Sequence, residues 1–204
     1  MNENNLRYLG PPTFRQSYMN EFVVECPRCK HEAIVIVDRP FWREGGKLSC
    51  GNCMHSEKAI DLVRFRAVVK RHCDNCGREF ETVIPNQRQK VHSITIPCPH
   101  CEATRTYEPK NEEYQVGYLT IGQAADPIFG LPLWFQADFK GDLFWAYNRS
   151  HLNEIKSYVT SKLRERQTTT HTTMVERLPK FIKYSKNRES IIKLIDRLER
   201  KAFG

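Results

Sequence analysis

Between Glu25 and Met54 the chain reads ECPRCKHEAIVIVDRPFWREGGKLSCGNCM: a Cys-x-x-Cys pair, a β-branched run, a Gly-Gly turn and a second Cys-x-x-Cys pair. The same plan returns downstream. Cys73-Asp74-Asn75-Cys76 is followed by a strand-like run at 80–84 (FETVI), a polar loop at 85–90, an alternating run at 91–96 (VHSITI) and Cys98-Pro99-His100-Cys101. Cys26 and Cys73 lie 47 positions apart and Cys50 and Cys98 48 apart, so the chain carries two copies of one supersecondary unit.

All eight cysteines of the 204-residue chain belong to these four pairs. The opening MNENNLRYLG has no basic start and no apolar h-region, and no run approaches the roughly 20 apolar residues that span a bilayer. A cytoplasmic address without membrane contact is therefore expected, where disulfides rarely persist and paired thiols read as metal ligands. Each Cys-x-x-Cys turn presents two sulfurs, and a hairpin that joins two turns completes a tetrahedron around zinc at Zn–S distances of about 2.3 Å. The expected ligands are Cys26, Cys29, Cys50 and Cys53 for one zinc and Cys73, Cys76, Cys98 and Cys101 for a second. Crossed pairing, with the first and third pairs sharing an ion, fits the even spacing as well. Iron can also occupy four thiolates, but the knuckles lack the C-P-x-C-G form of rubredoxin-like sites. Four closed thiolates build structure and do not activate water.

Over residues 22–106 each half resembles a zinc ribbon of the transcription-factor type. That resemblance implies small zinc-nucleated β-ribbons that bind nucleic acid or protein. Many ribbon knuckles carry Gly after the second Cys. Here only Gly77 does, with Lys30, Met54 and Glu102 in the other three places.

Between the copies, Val63, Phe65, Ala67 and Val69 alternate with Arg64, Arg66 and Lys70, the period-2 pattern of a half-buried strand with a basic outer face. Beyond Pro109 the pattern changes. Residues 131–147 (LPLWFQADFKGDLFWAY) read as a hairpin turning at Lys140-Gly141-Asp142, with aromatics Trp134, Phe135, Phe139, Phe144, Trp145 and Tyr147 on its arms. A helix is expected from an N-cap at Ser150, with Leu152, Ile155, Val159 and Leu163 on one face. The Thr-rich 168–173 reads as a loop. Helical spacing resumes at Ile191, Ile195, Leu198 and Ala202, downstream of the break at Pro179. The reading is α+β: an arm (1–24), ribbon 1 (25–59), ribbon 2 with its connecting strand (60–110), and a hairpin-plus-helices unit with a basic tail (111–204).

The formal charge of +8 is unevenly spread. Residues 150–204 hold 13 basic and 6 acidic side chains, whereas 25–110 hold 15 and 11. Two zinc tetrathiolates, each about −2, would bring the ribbon region near neutrality. Clustered cations are the footprint of phosphate contact. Arg64, Arg66, Lys70, Arg71, Lys193, Arg197 and Arg200 are therefore the candidate nucleic-acid contacts, with Phe41 and Trp42 able to stack on bases. The alternative is a protein-binding adaptor or inhibitor, of an immunity or antitoxin-like kind, using the ribbons and the aromatic hairpin. The chain has no Gly-rich phosphate loop, no H-E-x-x-H, no nucleophile elbow and no evident small-molecule substrate, so a non-enzyme is expected. Asp126, Asp138 and Lys140 are a remote nuclease-like alternative, in which two carboxylates would hold a metal ion. His55, His72 and His100 read as knuckle surface.

Overall fold

The β-branched segments that flank the first Cys pair hydrogen-bond to each other, so the pair forms the tip of a hairpin. In a computed structural model of the chain, which describes residues 7–39, 45–164 and 172–201, strand β1 (Glu21–Glu25) pairs antiparallel with β2 (Glu32–Ile36) across Cys26 and Cys29. Strands β3 (Lys47–Ser49) and β4 (Ser56–Lys58) do the same across Cys50 and Cys53, and β2 pairs with β3, which closes a four-stranded sheet of order β1-β2-β3-β4. Alternation decides which face is buried: Ala33 and Val35 are buried in β2 while Ile34 and Ile36 are exposed. Phe41 and Trp42, and Glu44 of the expected turn, lie outside the described residues, as do 168–171 of the Thr-rich loop and Ala202.

The second copy differs from its expectation. Strand β5 (Val63–His72) pairs with β6 (Glu79–Gln87) across Cys73 and Cys76, and β7 (Ile94–Pro97) pairs with β8 (Thr104–Tyr107) across Cys98 and Cys101. The strands between the two knuckles, β6 and β7, do not pair with each other. Instead β9 (Lys110–Gln115) adds to the free edge of β5, giving a sheet β6-β5-β9 beside the separate hairpin β7-β8. β6 also runs through Pro85, which the sequence assigns to a loop. It is an edge strand, where a residue without an N–H can sit with its nitrogen turned away from the ladder. The expected strand at 91–96 begins only at Ile94. The alternation in β5 holds, with Ala67 and Val69 buried and Arg66 and Lys70 exposed.

After residue 118, β10 (Phe135–Phe139) and β11 (Asp142–Ala146) form the expected hairpin, and Lys140 (φ 56°) and Gly141 (φ 87°) take the left-handed conformation that a two-residue turn of this twist needs. Five of the six hairpin aromatics are buried, all but Trp145. They are core beneath α1 (Arg149–Thr160) and α3 (Arg188–Lys201), and a short α2 (Lys180–Lys183) starts directly after Pro179. The cap of α1 is Asn148, not Ser150: its side chain accepts the N–H of His151 at 2.9 Å. Leu152, Ile155 and Val159 are buried as expected, whereas Leu163 lies past the helix end and is exposed.

The outer edge of β1 is covered by the segment before β10. The N–H of Glu25 donates to the carbonyl of Pro132 at 2.9 Å, that of Trp134 to Val23 at 2.9 Å, and that of Val23 to Tyr147 at 2.8 Å. These bonds gather Phe22, Val24, Phe129, Phe135, Phe144, Ile155 and Ile195 into one apolar interior. The chain thus divides into a unit made of Met1–Ala59 with Tyr118–Gly204, and an inserted unit, Ile60–Gly117. Segments that the sequence separates as 1–24, 25–59 and 111–204 contribute to the first. The second extends past residue 110 because β9 pairs with β5.

Candidate metal centres and the basic groove

Hairpin tips bring the thiols together in sequence order. Cys26, Cys29, Cys50 and Cys53 form one group and Cys73, Cys76, Cys98 and Cys101 a second, with all sulfurs of a group within 4.8 Å of one another. Crossed pairing is excluded. The Sγ–Sγ distances are 3.7 Å for Cys26–Cys53, 3.5 Å for Cys29–Cys50, 3.8 Å for Cys73–Cys101 and 3.9 Å for Cys76–Cys98. A tetrahedron with Zn–S bonds of about 2.3 Å has an edge of about 3.8 Å, whereas a disulfide needs about 2.05 Å. Both groups therefore fit a zinc ion, with ribbon-like geometry. His55, His72 and His100 add no ligand atom to either.

The backbone of each knuckle is built for this. The N–H of Cys26, Cys50, Cys73 and Cys98 donates to the carbonyl of His31, His55, Arg78 and Ala103 respectively, at 2.8–3.0 Å. The residue after each second cysteine is left-handed: φ is 66° at Lys30, 58° at Met54, 71° at Gly77 and 60° at Glu102. The three non-glycine residues thus keep the conformation that Gly77 serves in the third knuckle. Free N–H groups turn toward sulfur, as those of Asn75 and His100 do toward Cys73 and Cys98 at 3.4 Å.

Those donors set up the thiolates. The backbone N–H of His31 brings Cys29 down to about 5, and the Asn75 amide, 3.5 Å from its sulfur, brings Cys101 down to about 6. At Cys53 the His55 N–H pulls the same way, but burial and the sulfurs of Cys29, Cys50 and Cys26 outweigh it and push the thiol up to about 12. Four thiols so crowded cannot all ionise without a cation, and a dication held by the four sulfurs would supply that charge.

The sequence-predicted nucleic-acid residues fall in two places. On β5, Arg66 pairs with Glu112 at 2.6 Å, Arg64 donates to the carbonyls of Asp61 and Val63 at 2.7 Å, and Arg71 lies 5.2 Å from the Tyr107 ring centre. Lys70 faces a shallow depression that Glu81, Glu108 and Glu112 share, so this face is of mixed charge. On α3, Lys193, Arg197 and Arg200 project from one exposed face and line an open groove with Lys140, Asp138 and Ser190. Two of the three acids of the helix are engaged elsewhere: Asp196 and Glu199 both bind Lys156 of α1, at 2.8 and 2.7 Å, while Glu189 lies exposed in its first turn. Lys140 joins this set only through docking of the β10–β11 turn beside α3, for which the sequence carries no signal.

The nuclease-like trio does not assemble around a shared metal position in the same way. Both oxygens of buried Asp126 accept backbone N–H groups, from Ile128, Phe129 and Leu131 at 2.7–2.9 Å, which fixes the loop before β10. Asp138 accepts the N–H of Gly141 in the hairpin turn. No helix among the described residues is long and apolar enough to cross a membrane. The chain matches no protein-family model, no curated protein and no solved structure.

Proposed function

We propose that this chain is a non-catalytic nucleic-acid-binding protein, stabilised by two structural zinc ions, that meets the phosphate backbone with Lys140, Lys193, Arg197 and Arg200. The observation that carries this reading is the basic groove: cations from a hairpin turn and from positions i, i+4 and i+7 of α3 line one surface, while two of the three acids of α3, Asp196 and Glu199, are bound to Lys156. Among the described residues none of the four has a carboxylate within ion-pair distance, so their charge is available to phosphate. The β5 face supports a weaker contribution, since Glu112 already offsets Arg66. The burial of the hairpin aromatics removes the main motive for a protein-binding role at 131–147.

Fluorescence anisotropy with a labelled duplex and a labelled single strand, between about 50 and 200 mM salt, tests the proposal. Affinity should fall linearly on a log–log plot, and replacing all four groove cations with Ala should reduce the slope by about 3 to 4, close to 0.9 per lost duplex phosphate contact. Arg64, Arg66 and Lys70 replaced together should have a smaller effect. A slope unchanged by the groove variant, or a salt-insensitive complex with a single protein in place of nucleic acid, would overturn the reading.

A further inference from the structure

The first unit holds a second feature unrelated to zinc or to the basic groove: a cavity of about 260 Å³ beside β11, α1 and α2. Its walls are mainly apolar, with Trp145, Ile155, Met174, Leu178 and Ile182 among them, Gln16 lines it as well, and no acidic side chain does. Two arginines, Arg15 and Arg177, stand at it as exposed residues, and neither has a carboxylate partner among the described residues.

His151 is the polar group of the interior wall. It is 3% exposed, held between the rings of Tyr18 (centroids 4.9 Å apart, stacked) and Trp145 (5.9 Å, edge-on). Its Nδ1 accepts the backbone N–H of Tyr147 at 3.2 Å. Burial, and then the Arg15 charge, pull its pKa down to about 4, so the ring is neutral near pH 7. A neutral imidazole whose Nδ1 accepts must carry its proton on Nε2, which leaves one N–H donor with no acceptor among the described residues.

A structural void would be sealed and smaller, since one water needs about 30 Å³ and dry cavities are lined by apolar groups alone. This one combines an apolar chamber, one fixed neutral donor and two unpaired guanidinium groups, and that set recognises a ligand with a flat apolar body and one negative group. We infer that the cavity binds a small aromatic monoanion, a carboxylate of about ten non-hydrogen atoms, given a volume just below the usual range of small-molecule pockets. The ring lies against Trp145 and Met174, a flexible thioether suited to aromatic contact. The carboxylate takes the Nε2–H of His151 together with the Arg15 and Arg177 guanidinium groups. A cation is disfavoured by the arginines, and a nucleic-acid phosphate by the apolar walls.

The test is isothermal titration and methyl NMR of the full zinc-loaded chain with 3-phenylpropionate, 3-phenylpropanol and propionate. Saturable one-to-one binding of 3-phenylpropionate, with a shift of the Met174 methyl signal, is expected. The alcohol should bind about tenfold more weakly for loss of the charge-assisted hydrogen bonds, and propionate should not saturate. Arg177→Ala, an exposed change that leaves the fold intact, should weaken the acid about tenfold and leave the alcohol unchanged. His151→Phe should weaken the acid while the ring packing is kept. No saturation by the acid, equal binding of acid and alcohol, or an Arg177→Ala variant that binds as the parent does would each overturn the inference.

Discussion

Three residues after second cysteines adopt a backbone that L side chains resist. Met54 is the clearest case: its φ is 58° and its side chain is 82% exposed, so it contributes little packing in return for the strain. Left-handed backbone costs a non-glycine residue roughly 1–2 kcal/mol, partly offset by the extra freedom glycine gives the unfolded chain. Met54→Gly should therefore stabilise the zinc-loaded protein by about 1 kcal/mol in urea unfolding. His151 makes the opposite kind of prediction, from burial. Its folded pKa is about 4 against an ordinary 6.5, so between those values the unfolded chain binds more protons, and stability rises as pH climbs from 4 to 6.5 and is complete above it. From pH 7 to pH 5 the parent should lose about 2 kcal/mol more than His151→Phe does, each measured with zinc bound. Equal losses would show that His151 protonates freely in the folded state. At this scale the cysteines were legible because their spacing is their function, and His151 was not, because nothing in its neighbours' identities announces a buried ring.

Among the elements, the cap of α1 has consequences beyond the helix. Asn148 accepts the His151 N–H and donates through Nδ2 to the carbonyls of Tyr18 and Glu21, both at 2.9 Å. Asn148→Ala should cost about 3 kcal/mol, from one lost cap and two buried carbonyls left without a donor. Asn148→Asp should cost at least as much although it keeps the cap, because its carboxylate would face those carbonyls; thermal denaturation of both variants checks the order. The sequence points to Ser150 as the cap, and tertiary hydrogen bonds to the carbonyls of Tyr18 and Glu21 select Asn148 two positions earlier. Strands with β-branched alternation, such as β2 and β5, were readable for the same reason that they form. β8 and β9 were not: TRTY and KNEEYQ have no apolar period, and β9 is a strand because β5 offers it an edge. Pro85 marked a loop by its missing donor, and only the sheet order reveals that the donor was not needed there.

For the whole molecule, the decisive difference lies between the two units. The first has an apolar interior assembled from both ends of the chain, which the linear reading could not foresee because the bonds that join Val23 and Glu25 to residues 132–147 link distant positions. The inserted unit has a small core of Val69, Phe80, Ile96 and Tyr107 packed with its own cysteines. So few apolar side chains cannot offset the ordering entropy of nearly sixty residues, whereas a structural zinc contributes about 10–16 kcal/mol. The fold of the inserted unit therefore depends on bound metal. Elemental analysis and zinc X-ray absorption of protein purified without added metal test it most directly. Two zinc ions per chain, each with four sulfurs at about 2.3 Å, is the predicted result. One ion or none, iron in place of zinc, or nitrogen or oxygen in the first coordination sphere would contradict it.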